Sequence, residues 1–128
     1  MPKTALTPDT SVFTLDAAKE PLGRLATKAA VLLMGKHRPS FERHRKSAPR
    51  VIVTNSDHTI LTGRKWTQKK YYRHSGYIGN LKEISAASMR ERDSRRIILL
   101  AIRGMLPKNK LRDQLMKRLS VYKGAATP

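Results

Sequence analysis

The densest chemistry in the chain lies at residues 64–79, RKWTQKKYYRHSGYIG. Five Lys/Arg stand there with no Asp or Glu, and Trp66, Tyr71, Tyr72, His74 and Tyr77 are set among them. Taking an unpaired ammonium or guanidinium out of water costs several kcal/mol, so the stretch belongs on a surface. Exposed, it offers point charges and planar forks for phosphate, and ring faces and hydroxyl tips for bases or riboses. Gly76 and Gly79 let the backbone turn or come close to a partner. The competing possibility is a solvated loop whose rings merely pack on the body, and the rest of the chain weighs against it.

Catalytic chemistry is poorly supported. The four histidines (His37, His44, His58 and His74) fall in expected loops, with no H-x-x-x-H pair on a helix. No nucleophile elbow, phosphate loop or carboxylate pair is evident. Gly35-Lys36 superficially resembles a phosphate loop, but it ends a helix instead of starting one, so the dipole has the wrong sign. Without cysteine there is neither a disulfide nor a thiolate zinc site. No catalytic residue, metal ligand or cofactor is assigned.

Charge points to the partner. The 128 residues carry 27 Lys+Arg against 9 Asp+Glu, a formal net charge of +18. Self-repulsion at that charge calls for a polyanion, with nucleic acid first and an anionic membrane surface second. The charge is also patterned: twelve Lys/Arg against two acids over 36–82, and seven against one over 103–123. Apolar runs are too short to span a bilayer, and no helix joins a Lys-rich face to exposed aromatics as interfacial helices do. With no helix-turn-helix or zinc-finger pattern, RNA suits the aromatics and basic loops better than DNA. The N-terminus lacks a hydrophobic signal core, which leads us to expect an intracellular protein without a removed leader.

The elements that must position this chemistry read as one α/β domain over 11–124, with a loose arm at 1–10 and a short tail at 125–128. Residues 11–17 form a strand, and 22–34 a helix with Leu22, Leu25, Ala26, Ala29, Ala30, Leu32 and Leu33 on one arc. Gly35 caps that helix. Residues 50–55 are a β-branched strand expected to be buried on both faces, completing a βαβ unit. A short strand is expected at 59–62 and a weakly periodic helix at 81–92. Asp93 or Ser94 should cap a clearer helix ending at Pro107. A third helix carries Leu111, Leu115, Met116 and Leu119, and Val121-Tyr122 makes a last strand.

Several runs are specific enough to carry a resemblance. They are LGRLATKAA at 22–30, GKHRPSF at 35–41, VIVTN at 51–55, KYYRHSGYIG at 70–79, GMLPKNKL at 104–111 and VYKG at 121–124. In these runs and their order the chain resembles the L13 (uL13) family of large-subunit ribosomal proteins. Departures fall at Val12-Phe13 and at 45–49, where Arg45, Lys46, Ser47, Ala48 and Pro49 stand.

The resemblance implies a single α/β domain whose mostly parallel sheet, of about four strands, is flanked by helices. It further implies a non-enzymatic protein of the cytoplasmic ribosome, of bacterial type or organellar, that binds large-subunit rRNA and acts early in assembly. Partners would be that rRNA and neighbouring large-subunit proteins, with no membrane, no DNA and no second copy of the chain. Carried over by matching run, the RNA-facing residues would be Lys36, His37, Arg38, Lys70, Tyr71, Tyr72, Arg73, His74, Ser75, Gly76, Tyr77, Lys108 and Lys110. Charge alone adds Arg43, Arg45, Lys46, Arg64, Lys65, Lys69, Lys117 and Arg118. Two further functions stay open on the residues themselves: a free-standing RNA-binding regulator, and a phosphate-handling enzyme, which would need a concave pocket bearing a base.

Overall fold

The structure is a computed structural model that describes residues 11–39, 41–44 and 49–125. The expected arm at 1–10 and residues 126–128 of the tail lie outside the described residues. In chain order the elements are β1 (Val12–Asp16), α1 (Leu22–Met34), β2 (Arg50–Thr54), a 3-10 turn (Ser56–His58), α2 (Lys65–Gln68) and β3 (Lys70–His74). They continue with β4 (Leu81–Ser85), α3 (Ala86–Met105), α4 (Leu111–Met116) and β5 (Leu119–Val121).

The sheet that forms the core is built around β2. Its Val51 and Val53 are fully buried, and a valine removed from water stabilises by roughly 1.5–3 kcal/mol, so this strand is the centre of the fold. β1 pairs with it in parallel from Val12↔Arg50 to Asp16↔Thr54, and β5 pairs in parallel on its other edge from Val51↔Leu119 to Val53↔Val121. The expected α/β domain with a parallel sheet is therefore present, with three strands in that sheet and two more in a separate antiparallel pair.

α1 spans the expected residues because its apolar positions recur at helical spacing. Leu22, Leu25, Ala26, Ala29, Ala30 and Leu33 are buried, and they share one cluster with Ile97, Ile98 and Ile102 of α3. Gly35 adopts φ 78°, where a Cβ would be strained. It lets the amides of Gly35 and Lys36 bond back to Leu32 and Val31, each at 3.1 Å, closing the helix end. The strand expected at 59–62 reduces to one bridge, Pro21↔Ile60, which ties the start of α1 to the chain beyond the 3-10 turn.

One correction concerns 81–85. Residues 81–85 were expected to open a helix, yet they pair antiparallel with β3 from Lys70↔Ser85 to His74↔Leu81. The turn is made possible by Gly76 and Gly79, at φ 91° and 76°, so the strand pairing outcompetes a weak helical period. α3 starts only at Ala86, with the Ser85 hydroxyl accepting from the Ser88 amide at 3.3 Å. The expected cap at Asp93 is real: its backbone leaves the helix (φ −160°, ψ 100°) and its carboxylate accepts from the Arg95 amide at 3.2 Å. Two helical segments thus run end to end across a kink.

A partly buried polar latch holds the junction of the two segments to the 3-10 turn. Ser94 Oγ donates to Asp57 Oδ1 at 2.5 Å and, its one proton spent, accepts from Ser56 Oγ at 2.9 Å. Arg90 donates to the Asp57 carbonyl at 2.6 Å while its guanidinium lies 4.9 Å from the Trp66 ring centre. The latch fixes the base on which the β3–β4 hairpin stands.

Candidate nucleic-acid interface

The hairpin's two faces differ because side chains alternate along each strand. Tyr71 and Ile84, directly paired, turn inward and pack on the core. Burial raises the Tyr71 phenol pKa above its ordinary value. One step further out on that same face stand Arg73 and Lys82, again directly paired, and both are exposed. The opposite face carries Lys70, Tyr72, His74, Leu81 and Glu83, with Lys70 Nζ 3.3 Å from a Glu83 carboxylate oxygen.

Rings and apolar side chains crowd the outer end of the hairpin. Tyr72 is 62% exposed, Tyr77 74%, Ile78 104% and Leu81 54%. Four large apolar side chains left in water at one tip are poorly explained by packing and suit a partner that stacks on them. Ser75 and Gly76 lie exposed at the turn, where the Gly76 amide donates to His74 Nδ1 at 2.9 Å and fixes that ring. At the hairpin's base Lys69 sits 5.6 Å from the Tyr71 ring centre, and Arg64 and Lys65 are exposed at the start of α2.

The basic loop after α1 is built differently. His37 meets Phe13 edge to face, centroids 5.3 Å apart at 77°. Arg38 is half-buried and donates to the Ser11 hydroxyl at 3.4 Å. Lys36 is exposed, and its side chain borders a cleft of ≈ 460 Å³ together with Arg43, Phe41, Pro107, Asn109 and Leu111. This cleft brings the 36–43 loop and the 104–111 loop together, as their sequences alone could not say. Lys108, Lys110 and Lys117 are exposed near it in the chain, whereas Arg118 is half-buried. Arg45 and Lys46 lie outside the described residues.

The basic residues thus fall into two groups along α3, although Lys65 and Lys69 of the first group also line a cavity with Leu100, Ala101, Gly104 and Met105 near its C-terminal end. The hairpin packs at the Ala86 end, and the cleft borders Met105. A straight 20-residue helix would be about 30 Å long and α3 is kinked at Asp93, so its two ends lie within about one duplex turn of each other. Lys82 was missed as a candidate site residue. Its signal was the alternation of Lys82 and Ile84, which mirrors that of Arg73 and Tyr71 across two glycines. Phe13, which positions His37, gave no sequence signal beyond an apolar strand position.

Among the described residues no group of three or more His, Asp or Glu could hold a metal ion. Nor is any described helix long and apolar enough to cross a membrane.

A model of the family described as ribosomal protein L13 matches residues 10–128. The large ribosomal subunit protein uL13 of Desulfotalea psychrophila is 47% identical over 116 residues, covering 91% of this chain and 82% of that protein. The protein of the same name from Syntrophobacter fumaroxidans is 48% identical over 114 residues, covering 89% and 80%. That from Thermotoga maritima is 47% identical over 116 residues, covering 91% and 78%. With nearly half its positions shared along almost its whole length, the chain belongs to the ribosomal protein L13 family.

Proposed function

We propose that this chain is a structural constituent of the large ribosomal subunit that grips large-subunit rRNA with its hairpin and basic loops and helps early subunit assembly. The observation that carries the proposal is the hairpin, where cations and rings project from an anchored base with little inside the protein to engage them. Each phosphate met by a cation releases condensed counterions, which gives affinity that falls steeply with salt. The rings add base stacking, which salt weakens little. The family is one of structural, non-enzymatic ribosomal proteins, so positioning and charge neutralisation are the whole of the chemistry.

On this account Lys36, Lys70, Arg73, Lys108 and Lys110 engage phosphate, while Tyr72 and Tyr77 meet bases or riboses. His37, Arg38 and Tyr71 have one side held by the body and act as braces that also line the surface. The test is sedimentation of cell extracts through gradients of rising salt. Co-migration with large subunits at moderate salt, and release only at high salt, is expected. A chain found solely in the free pool, with subunit profiles normal after its depletion, would overturn the proposal in favour of a free-standing RNA-binding regulator.

A further inference from the structure

Arg73 and Lys82 face each other directly across the antiparallel hairpin. Directly opposed residues have Cβ atoms about 4.5–5.5 Å apart, and like charges so placed destabilise the pair. Neither side chain has a hydrogen-bond or ion-pair partner among the described residues. Glu83, the acid next to Lys82, points to the other face and is engaged by Lys70. Tyr71 and Ile84 pack on the core one step back on the same face, so the backbone positions of the two cations are held opposite each other.

We infer that Arg73 and Lys82 form a two-pronged clamp for a single RNA phosphate, an inference that rests on the rRNA-binding function proposed above. A phosphate diester has two unshared oxygens and one negative charge. The Arg73 fork can take one oxygen in a planar pair of bonds and the Lys82 ammonium the other. The repulsion built into the free hairpin is then relieved on binding. An RNA phosphate fits better than an acidic peptide because exposed Tyr72 and Tyr77 offer base-sized flat faces on the same hairpin, and the chain as a whole is +18.

The experiment is a double-mutant cycle with Arg73→Gln, Lys82→Gln and the double variant, binding in-vitro-transcribed large-subunit rRNA over a range of salt. Thermal unfolding of each free variant is followed alongside. Each single change is expected to weaken binding about tenfold, and the double about tenfold as well, because one phosphate is lost in all three. The log–log salt slope of the double should fall by one contact's worth, about 0.7–0.9. The free variants should melt at or above the wild-type temperature at low salt, and a drop would mean that the pair is structural. Additive losses near a hundredfold, with the slope falling by two contacts, would overturn the shared clamp in favour of two separate phosphates. Unchanged affinity in all variants would overturn it in favour of an acidic protein neighbour. If wild-type protein itself failed to bind, the rRNA-binding proposal would fall, and that outcome is distinct from the others.

Discussion

The β3–β4 hairpin and the loop after α1 are both basic and exposed, yet they spend their side chains differently. In the loop, His37 leans on Phe13, Arg38 reaches Ser11, and the backbone is closed onto α1 by Gly35. In the hairpin, only its base is tied down, through Tyr71, Ile84 and the Lys70–Glu83 pair. Beyond that base, the cations Arg73 and Lys82 and the rings of Tyr72 and Tyr77 project into solvent. A cation with an internal partner stabilises the fold and gives up less to an outside ligand. A pair held in repulsion makes the opposite trade.

If that contrast is right, the largest loss of rRNA affinity comes from the hairpin rings. Tyr72→Ala and Tyr77→Ala should each cost about 1–3 kcal/mol of binding with the salt slope unchanged, as measured by equilibrium binding at several ionic strengths. A comparable cost, but in stability, is expected where α3 is joined to the 3-10 turn. Ser94→Ala removes the hydroxyl that joins Ser56 to Asp57 and should lower unfolding free energy by about 1–3 kcal/mol, read by denaturant titration.

Smaller effects sharpen the contrast among the cations. Arg73→Ala should weaken rRNA binding more than Lys70→Ala, since Lys70 must first leave Glu83 at 3.3 Å. Together the two changes should flatten the salt slope by up to two contacts' worth. Arg38→Ala should do the reverse, lowering the thermal midpoint while moving the slope by less than one contact. An Arg38 variant that bound weakly but melted normally would break the distinction between brace and grip.

The smallest effect is electrostatic and lies outside both regions. The Asp16 carboxyl pKa is lowered from its ordinary value, first by the Asn55 side-chain amide and then by the Ala18 amide, and the Asp93 pKa is lowered chiefly by the Arg95 guanidinium. Carboxylates with folded values below 3.8 contribute stability in full above that value and lose it as pH falls through the folded one. The thermal midpoint should therefore hold from neutral pH to about pH 5 and decline below about pH 4, with Asp16→Asn flattening part of the decline. The slope is shallow because both groups are near solvent, where screening is strong.

Much of the core could be read from residue order because it obeys simple periods. α1 shows its apolar arc, Gly35 its stop, and the β-branched run of β2 a strand, although only the Val51 and Val53 face is fully buried and Ile52 on the other face is half-buried. The hairpin was harder, for a physical reason. A strand announces itself through an apolar face, and β3 has only Tyr71 to offer, its other positions being kept for charge and rings in water. β4 reads as helix because Leu81, Ile84 and the alanines after it suit either form, and the glycines that decide between them lie upstream. The break at Asp93 between two abutting helices was legible, while the start of the first at Ala86 was not. The closeness of the 36–43 and 104–111 loops depends on how α1 and α3 pack, which no local pattern encodes.

The most direct measurement is a density map of a large ribosomal subunit assembled with this chain. We expect the tip of the hairpin to be seated on rRNA, with Arg73 and Lys82 within hydrogen-bonding reach of one phosphate and Tyr72 or Tyr77 against a base or ribose. A map in which that tip stands in bulk solvent, away from rRNA, would contradict the account.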